Sequence, residues 1–250
     1  MSDPHYWLVM PAAGRGQRLG ADLPKQYLPI AGRTLIEWAL HPFASDSACR
    51  GLVIALAAGD AQWPAIRARL ACPVTEAPGG TERSDSVRGA LETLRAQGAS
   101  DSDWVLVHDA ARPCVTTAEI TALRHGVARE DSTSASALAG GLLAMPLADT
   151  LKRGGAQGAG VVSIETVSRD GLWRALTPQM FRLGALLSAL RAASAAGRIP
   201  TDEAQAMEWI GATPRLIVGE STNLKVTTMA DLSLAEGILR ARTSSIGGSP

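Results

Sequence analysis

Short apolar segments alternate along the chain with longer segments of helical period. Runs rich in Val, Leu and Ile predict strands buried on both faces at residues 6–10, 51–57, 72–77 and 104–110. Apolar residues that recur every three to four positions predict helices at residues 34–43, 84–98, 118–128, 181–196, 202–210 and 230–242. This alternation predicts a three-layer α/β fold with a mostly parallel, Rossmann-like sheet, whose ligands bind at the carboxyl ends of the strands.

The alternation is interrupted between Pro146 and Gln179. A Gly-rich turn, a β-branched run and a second turn at RDG occur there without helical period. The segment predicts a β-arm, at about residues 147–179, inserted in a single domain of residues 1–250. Because a two-stranded ribbon alone is marginally stable in water, we expect the arm to pack against a second copy of the chain. The alternative is an arm folded back on its own domain.

Composition narrows the function classes. The 250 residues include 24 basic and 24 acidic side chains, so no net charge attracts the chain to nucleic acid or to an anionic membrane. Three widely spaced cysteines without a CxxC pair argue against a disulfide framework or a zinc site and fit a cytoplasmic protein. No apolar run approaches the roughly 20 residues that span a bilayer, so we expect no membrane segment.

The first segment that carries chemistry is GRGQRLGADLPK, residues 14–25. Its glycine spacing, G-x-G-x-x-x-G, matches neither the dinucleotide fingerprint nor the Walker loop. Glycines let backbone N–H groups approach phosphate oxygens, and Arg18 and Lys25 add charge-assisted hydrogen bonds. We therefore predict an anion site at this connection. The alternative is a plain glycine turn with solvated cations.

A second segment, VLVHDAARP, brings a carboxylate to the same edge of the sheet. Asp109 follows a buried strand, and a carboxylate beside phosphates is suited to Mg²⁺. Arg112 is placed to hold a second anion, and His108 is interpreted as a packed strand residue. Asp109 would otherwise cap the next helix, although Thr116 and Thr117 are better positioned for that.

Two further segments have weaker local signals. The turn in APGGTERSDSV is suited to present backbone groups and Ser86 to a base or ribose, and it is equally interpreted as a helix start capped by Ser84 or Asp85. In STNLKVTT, Lys225 lies in a predicted edge strand, where a lysine is usually solvated.

Seven segments together resemble the 2-C-methyl-D-erythritol 4-phosphate cytidylyltransferase family of the non-mevalonate isoprenoid pathway. They are PAAGRGQRLGADLPKQYLPIAG, GGTERSDSV, VHDAARP, DTLKR, RDGLWRALTPQ, TDEA and NLKVT, in family order from about residue 8 to residue 240. The resemblance implies that CMP is transferred from CTP to methylerythritol phosphate, with release of pyrophosphate, by in-line attack on the α-phosphorus. A cytidylyltransferase for another polyol phosphate, such as ribitol 5-phosphate, and a non-catalytic nucleotide-binding protein are the alternatives.

The resemblance also implies roles for individual residues. The catalytic residues would be Arg18, Lys25, Asp109 and Lys225, with Asp109 as the Mg²⁺ ligand. The nucleotide would contact Ala12, Ala13, Gly14, Gly16, Gly80, Thr81, Ser86 and Ala110. Methylerythritol phosphate would be held by Arg112, Thr150 and Lys225, and by Arg169 and Thr177 on the arm of the partner subunit in a homodimer. Thr81 stands where many relatives have an acidic residue.

Overall fold

The structure is a computed structural model and describes residues 4–14, 23–70, 72–131, 140–158 and 160–246. Its strands are β1 (Tyr6–Pro11), β2 (Pro29–Ile30), β3 (Arg33–Thr34), β4 (Cys49–Leu56), β5 (Val74–Pro78), β6 (Trp104–Val107), β7 (Gly140–Pro146), β8 (Leu151–Gln157), β9 (Gly160–Val167), β10 (Trp173–Arg182) and β11 (Arg215–Val218). Its α-helices are α1 (Leu35–Ala44), α2 (Trp63–Arg67), α3 (Arg83–Ala96), α4 (Thr117–Asp131), α5 (Leu183–Ala195), α6 (Glu203–Glu208) and α7 (Met229–Ile246), and a 3₁₀ turn covers Lys25–Tyr27.

Seven strands form the central sheet, in the order β11-β7-β10-β6-β1-β4-β5. Neighbouring strands are parallel, except that β10 runs antiparallel to both β6 and β7. The four strands predicted from apolar runs correspond to β1, β4, β5 and β6, which lie side by side. The predicted α/β fold with a mostly parallel sheet is confirmed.

Helices cover both faces of this sheet. On β1, Leu8 and Met10 pack in one hydrophobic core with α1 and α4, whereas Val9 packs in a second core with α3, α5 and α6. Successive side chains of a strand point to opposite faces, so a strand buried on both sides is apolar throughout. In the described part of the chain, no helix combines the length and apolarity needed to cross a membrane.

The β-arm is shorter than predicted. Strands β8 and β9 form a separate antiparallel hairpin, on which Val161 is 80% exposed and Ile164 65% exposed. From Trp173 onward the chain belongs to the central sheet as β10, because it hydrogen-bonds with β7 and then with β6. The arm therefore ends before residue 173, and the prediction that it extends to about residue 179 is wrong.

One further prediction is corrected at the edge of the sheet. Residues 221–228 form turns and irregular backbone, so Lys225 does not lie in an edge strand. The edge strand is β11, which ends at Val218 and pairs in parallel with β7. The segment after it crosses the carboxyl ends of the strands, where the backbone N–H of Val226 donates to the carbonyl of Ala111 at 2.8 Å.

Candidate active site

A cleft of about 820 Å³ opens at the carboxyl ends of β1, β4, β5 and β6. Loops that follow these strands form its walls, as expected for an open α/β sheet. Ten residues predicted for the site contribute to its lining: Ala12, Ala13, Gly14, Lys25, Gly80, Thr81, Ser86, Asp109, Ala110 and Lys225. Segments up to 213 residues apart in sequence (225 minus 12) therefore meet in one cleft.

Six other residues were predicted for the site. Gly16 and Arg18 fall outside the described residues. Thr150 and Arg169 are exposed residues flanking the hairpin and lie outside the described lining of the cleft. Arg112 and Thr177 are both buried.

The loop after β1 is held by hydrogen bonds within the chain. The Ala12 N–H donates to the carbonyl of Ala55 at 2.8 Å, which continues the parallel pairing of β1 with β4. The buried side-chain amide of Gln26 donates to the carbonyl of Ala12 at 2.8 Å. These bonds bring the 3₁₀ turn to the cleft, where Lys25 Nζ lies 3.4 Å from the carbonyl oxygen of Val226.

The Gly79–Gly80 turn packs against this loop. A Cβ atom added at Gly79 would collide with the Cβ of Ala13 and with the Leu56 carbonyl, so only glycine allows the two loops to touch. The Gly80 N–H donates to Ser86 Oγ at 3.0 Å. The segment therefore lines the cleft and also leads into α3.

The residue that caps α3 differs from both predicted candidates. Glu82 is the N-cap and forms a capping box with Asp85, whose carboxylate accepts from the Glu82 N–H at 3.3 Å. Ser84 and Asp85 lie within the first turn of the helix instead. The cap therefore lies two to three residues before the predicted candidates.

Asp109 is a buried carboxylate between two cations. Its Oδ1 accepts from Arg83 Nε at 2.8 Å, and its Oδ2 lies 2.8 Å from Lys225 Nζ. Burial by itself would raise the pKa of Asp109, but the charges of Arg83 and Lys225 outweigh this effect and hold the pKa far below its usual range. The carboxylate is therefore ionised at any physiological pH.

Arg83 is fixed on its other side by Glu203. Arg83 Nη1 donates to Glu203 Oε1 at 2.6 Å, and Nη2 donates to Oε2 at 3.1 Å. Glu203 is the first residue of α6 and is 1% exposed. Sequence reasoning assigned no role to either residue, although the quoted segments GGTERSDSV and TDEA contain them.

Thr177 and His108 form a buried pair behind Asp109. Thr177 Oγ1 accepts from the Asp109 N–H at 3.1 Å and lies 3.0 Å from His108 Nδ1, while His108 Nε2 lies 3.1 Å from the carbonyl oxygen of Arg112. These contacts assign the proton of the imidazole to Nε2 and make the Thr177 hydroxyl the donor to Nδ1. Burial lowers the pKa of His108 to about 4, so the ring is neutral at pH 7.

This geometry corrects the predicted position of Thr177. Thr177 lies in β10 within the central sheet, 4% exposed, and it contacts Asp109 of its own chain instead of projecting from an arm. His108 is completely buried, as predicted, but it follows β6, which ends at Val107. The motif RDGLWRALTPQ was misplaced because it runs continuously from the hairpin into the sheet.

The segment that carries Lys225 is anchored by Asn223. The Asn223 side-chain amide donates to the carbonyl of Thr177 at 2.9 Å and to Glu119 Oε1 at 3.2 Å, and its backbone carbonyl accepts from Arg112 Nη1 at 2.7 Å. Asn223 is fully buried. Arg112 thereby acts as a support for the Lys225 segment, and its Nε has no hydrogen-bond partner among the described residues.

Two carboxylate residues line the cleft, Glu82 and Asp109, and Glu82 is engaged in the capping box of α3. Among the described residues, no group of three or more His, Cys, Asp or Glu side chains is arranged to hold a metal. Mg²⁺ is commonly held by one or two carboxylates together with substrate phosphates, so Asp109 at the cleft wall fits such a shared site. Lys225, which pairs with Oδ2, is 41% exposed in its side chain and has room to move aside.

A mostly parallel α/β sheet with glycine turns, lysines and the Asp109 carboxylate at its carboxyl edge defines a Rossmann-like nucleotidyltransferase. The sequence model of the IspD family, 2-C-methyl-D-erythritol 4-phosphate cytidylyltransferase, matches residues 6–241, and the chain therefore belongs to this family. The family resemblance predicted from the seven segments is confirmed.

Individual relatives agree with this assignment. The chain is 50% identical over 229 residues to the 2-C-methyl-D-erythritol 4-phosphate cytidylyltransferase of Pseudomonas putida (strain GB-1), covering 92% of this chain and 93% of the relative. A crystal structure of 4-diphosphocytidyl-2C-methyl-D-erythritol synthase superimposes with a TM-score of 0.79 at 33% identity, covering 94% of this chain and 99% of the other. The Francisella tularensis enzyme gives a TM-score of 0.73 at 30% identity, with coverages of 94% and 99%.

Proposed function

We propose that the chain transfers CMP from CTP to 2-C-methyl-D-erythritol 4-phosphate, giving 4-diphosphocytidyl-2-C-methyl-D-erythritol and pyrophosphate. Family membership supports the reaction, and the observation that carries the assignment of the site is the meeting of Lys25, Asp109 and Lys225 in one cleft. The two ammonium groups of this set suit a triphosphate far better than an uncharged ligand.

The nucleotide would bind between the two glycine-containing loops. The Ala12 N–H is already used in the sheet, so the groups on this side that would contact CTP are those of Ala13 and Gly14, with Gly16 beyond them. On the other side, backbone groups of the Gly79–Gly80 turn, with Thr81, would select cytosine. Ser86 would act by holding this turn, because its hydroxyl accepts from the Gly80 N–H, and Ala110 would close the cleft floor.

In the reaction, a phosphate oxygen of methylerythritol phosphate forms a bond to the α-phosphorus of CTP. The bond between the α-phosphorus and the oxygen bridging to the β-phosphorus breaks in line, and its electrons leave with pyrophosphate. Charge accumulates on the phosphate oxygens, so the positive charges of Arg18, Lys25 and Lys225 would stabilise the transition state. No proton has to be removed from an ionised phosphate nucleophile.

Asp109 would hold Mg²⁺ together with phosphate oxygens of CTP, and the ion when bound would neutralise part of the triphosphate charge. The protein contributes a carboxylate that is always ionised, because Arg83 and Lys225 hold its pKa low. Lys225 would exchange its contact with Asp109 for one with phosphate when the substrates bind.

The second substrate would lie beside Lys225, with Arg112 and Thr150 as further contacts. Arg169 follows the hairpin, and we propose that it reaches this site from the hairpin of a partner subunit in a homodimer. Exposed Val161 and Ile164 support this arrangement, since a hairpin with such a surface is stabilised by burial against another chain. The Thr177 hydroxyl would act within its own subunit. We also propose that the chain forms a single domain, that the hairpin is its dimerisation element and that the protein is cytoplasmic.

The test is pyrophosphate release from CTP and Mg²⁺ by the purified protein. Methylerythritol phosphate should be used faster than ribitol 5-phosphate, and the reverse order would reject the proposed substrate. Removal of one stabilising cation by Lys25→Ala should lower kcat by about 100-fold or more. Arg95→Ala, which removes an exposed cation at the end of α3, is the matched control. Unchanged turnover in Lys25→Ala would reject Lys25 as a catalytic residue, and absence of pyrophosphate release by the wild type would favour the alternative of a non-catalytic nucleotide-binding protein.

A further inference from the structure

Glu203 is buried behind the cleft, and its carboxylate contacts Arg83, a residue that lines the cleft. We propose that Glu203 is a positioning residue: by occupying both terminal nitrogens of Arg83, it limits that guanidinium to one hydrogen bond with Asp109 and leaves Asp109 Oδ2 available to Lys225 or to a divalent cation. The inference rests on the proposed function, because it concerns the metal ligand of that site.

The position of Glu203 is itself determined by neighbouring contacts. Asp202, the residue before it, caps α6 by accepting from the Gln205 N–H at 2.9 Å. Gln179 in β10 donates to Asp202 Oδ2 at 3.0 Å and accepts from the Ala204 N–H at 2.8 Å. The start of α6 is thus attached to the central sheet on both sides of Glu203, and its carboxylate faces Arg83 without freedom to turn away.

Stability alone does not account for this pair. Replacing a buried ion pair by packed apolar residues is often neutral or stabilising, so a charged pair at this depth calls for a second reason. The second reason is an effect on the site: the Arg83 side chain is 27% exposed and lines the cleft beside Asp109, so Glu203 can act on the site through it. The four charged groups, Arg83, Lys225, Asp109 and Glu203, also sum to zero, which leaves the added charge of a metal ion to be balanced by the nucleotide.

The paired N–H groups of a guanidinium, which form a fork, explain which contact of Arg83 with Asp109 is prevented by Glu203. Arginine binds carboxylates preferentially through two parallel hydrogen bonds, and Glu203 already receives that fork from Nη1 and Nη2. Without a charge at Glu203, Arg83 would turn its fork to Asp109 and cover both carboxylate oxygens. Asp109 would then be a poorer metal ligand although its own side chain is unchanged.

The first measurement uses Glu203→Gln, which keeps the shape and removes the charge. Affinity for Mn²⁺ is measured from the electron paramagnetic resonance signal of free Mn²⁺ with CTP present and no second substrate, so that no turnover occurs. We expect affinity to fall about 10-fold or more, the usual effect of losing a residue that supports a metal ligand. CTP affinity without metal, measured by calorimetry, should stay within about 2-fold. Glu208→Gln removes the same charge from the exposed end of α6 and should change neither value.

A double variant separates positioning from general disruption. Arg83→Gln with Glu203→Gln removes one charge of each sign and leaves no fork to cover Asp109, so Mn²⁺ affinity should return to within about 2-fold of the wild type. If Glu203→Gln alone does not fold, this variant carries the test. A double variant that binds Mn²⁺ as weakly as Asp109→Asn, or a folded Glu203→Gln with wild-type Mn²⁺ affinity, would overturn the role of Glu203. Wild-type Mn²⁺ affinity in Asp109→Asn would instead reject Asp109 as the metal ligand, and the inference with it.

Discussion

Replacing Thr177 by valine tests whether this residue acts inside its own subunit. Valine has nearly the same shape as threonine and fits β10, but it carries no hydroxyl. The hydroxyl satisfies two buried groups, the Asp109 N–H at 3.1 Å and the imidazole Nδ1 of His108 at 3.0 Å. Thr177→Val therefore leaves one donor and one acceptor without a partner in a region closed to solvent.

The size of the effect follows from these two contacts. A buried polar group left unsatisfied costs about 1–3 kcal/mol, so two such groups would cost roughly 2–6 kcal/mol. The Asp109 N–H lies in the backbone and cannot turn to find another acceptor, whereas the imidazole can change its tautomer and recover part of the loss. We therefore expect the free energy of unfolding to fall by about 2–4 kcal/mol.

The assay combines urea unfolding with steady-state kinetics. Because the hydroxyl hydrogen is engaged with His108, a phosphate ligand cannot receive it without breaking that bond. We expect kcat to fall as Asp109 shifts, with KM for methylerythritol phosphate changed little. Thr75→Val removes an exposed hydroxyl on β5 as the control and should be nearly neutral in both measurements. Unchanged stability together with a large rise in KM would refute the argument and support Thr177 as a direct substrate contact.

Three other predictions address separate parts of the molecule. Burial lowers the pKa of His108 to about 4 from 6.5, so the unfolded chain takes up the proton first as the pH falls, and the free energy of unfolding falls by roughly 3 kcal/mol between pH 6.5 and pH 4. Urea unfolding across this range should show that this free energy depends less steeply on pH in His108→Gln than in His5→Gln. Equal slopes in the two variants would contradict the assignment. Gly79→Ala should weaken CTP binding about 10-fold or more in calorimetry, because its Cβ would push the loop at Ala13 away, whereas Gly237→Ala, with open space around it, should not; equal affinities would show that the two loops move independently. Val161→Asp with Ile164→Asp should convert the proposed dimer to a monomer in light scattering, whereas Val218→Asp, on an equally exposed residue of β11, should leave it unchanged; a wild-type protein already monomeric at micromolar concentration would reject the dimer.

The sequence predicted one half of the sheet well and the other half poorly. Strands β1, β4 and β6 are buried on both faces, so their apolar runs are unambiguous. Strand β10 contains Pro178 and continues directly from the hairpin, which made it look like part of the arm. Strand β7 begins with two glycines packed against Phe181 and Arg215, and such packing of small residues leaves no hydrophobic pattern to detect.

Some residues of the site could be predicted from local sequence, whereas others depend on contacts between distant segments. Glycine turns and the carboxylate at a strand end are local features, and the structure brings Gly80, Asp109 and Lys25 to one cleft. The partner of Arg83 is 120 residues away in sequence, and pairing at that distance is decided by how α3 and α6 pack. Either residue alone resembles an ordinary solvated charge, so only the fold identifies the pair.

The surroundings of Asp109 explain how one carboxylate can serve as a fixed part of the site. Its backbone N–H is held by Thr177, its Oδ1 by Arg83 and its Oδ2 by Lys225, and these partners come from β10, α3 and the segment after β11. A residue whose backbone is anchored and whose carboxylate is held on both oxygens has already lost its rotamer freedom in the folded protein, so little further entropy is lost when a ligand binds to it. Lys225 is the most exposed of the three partners, and it is also the one that the proposed substrates would engage. Thr177 and Arg83 therefore keep Asp109 in place while the contact with Lys225 is exchanged for one with a ligand. Asp109 can thus keep its position when the partner of its Oδ2 changes.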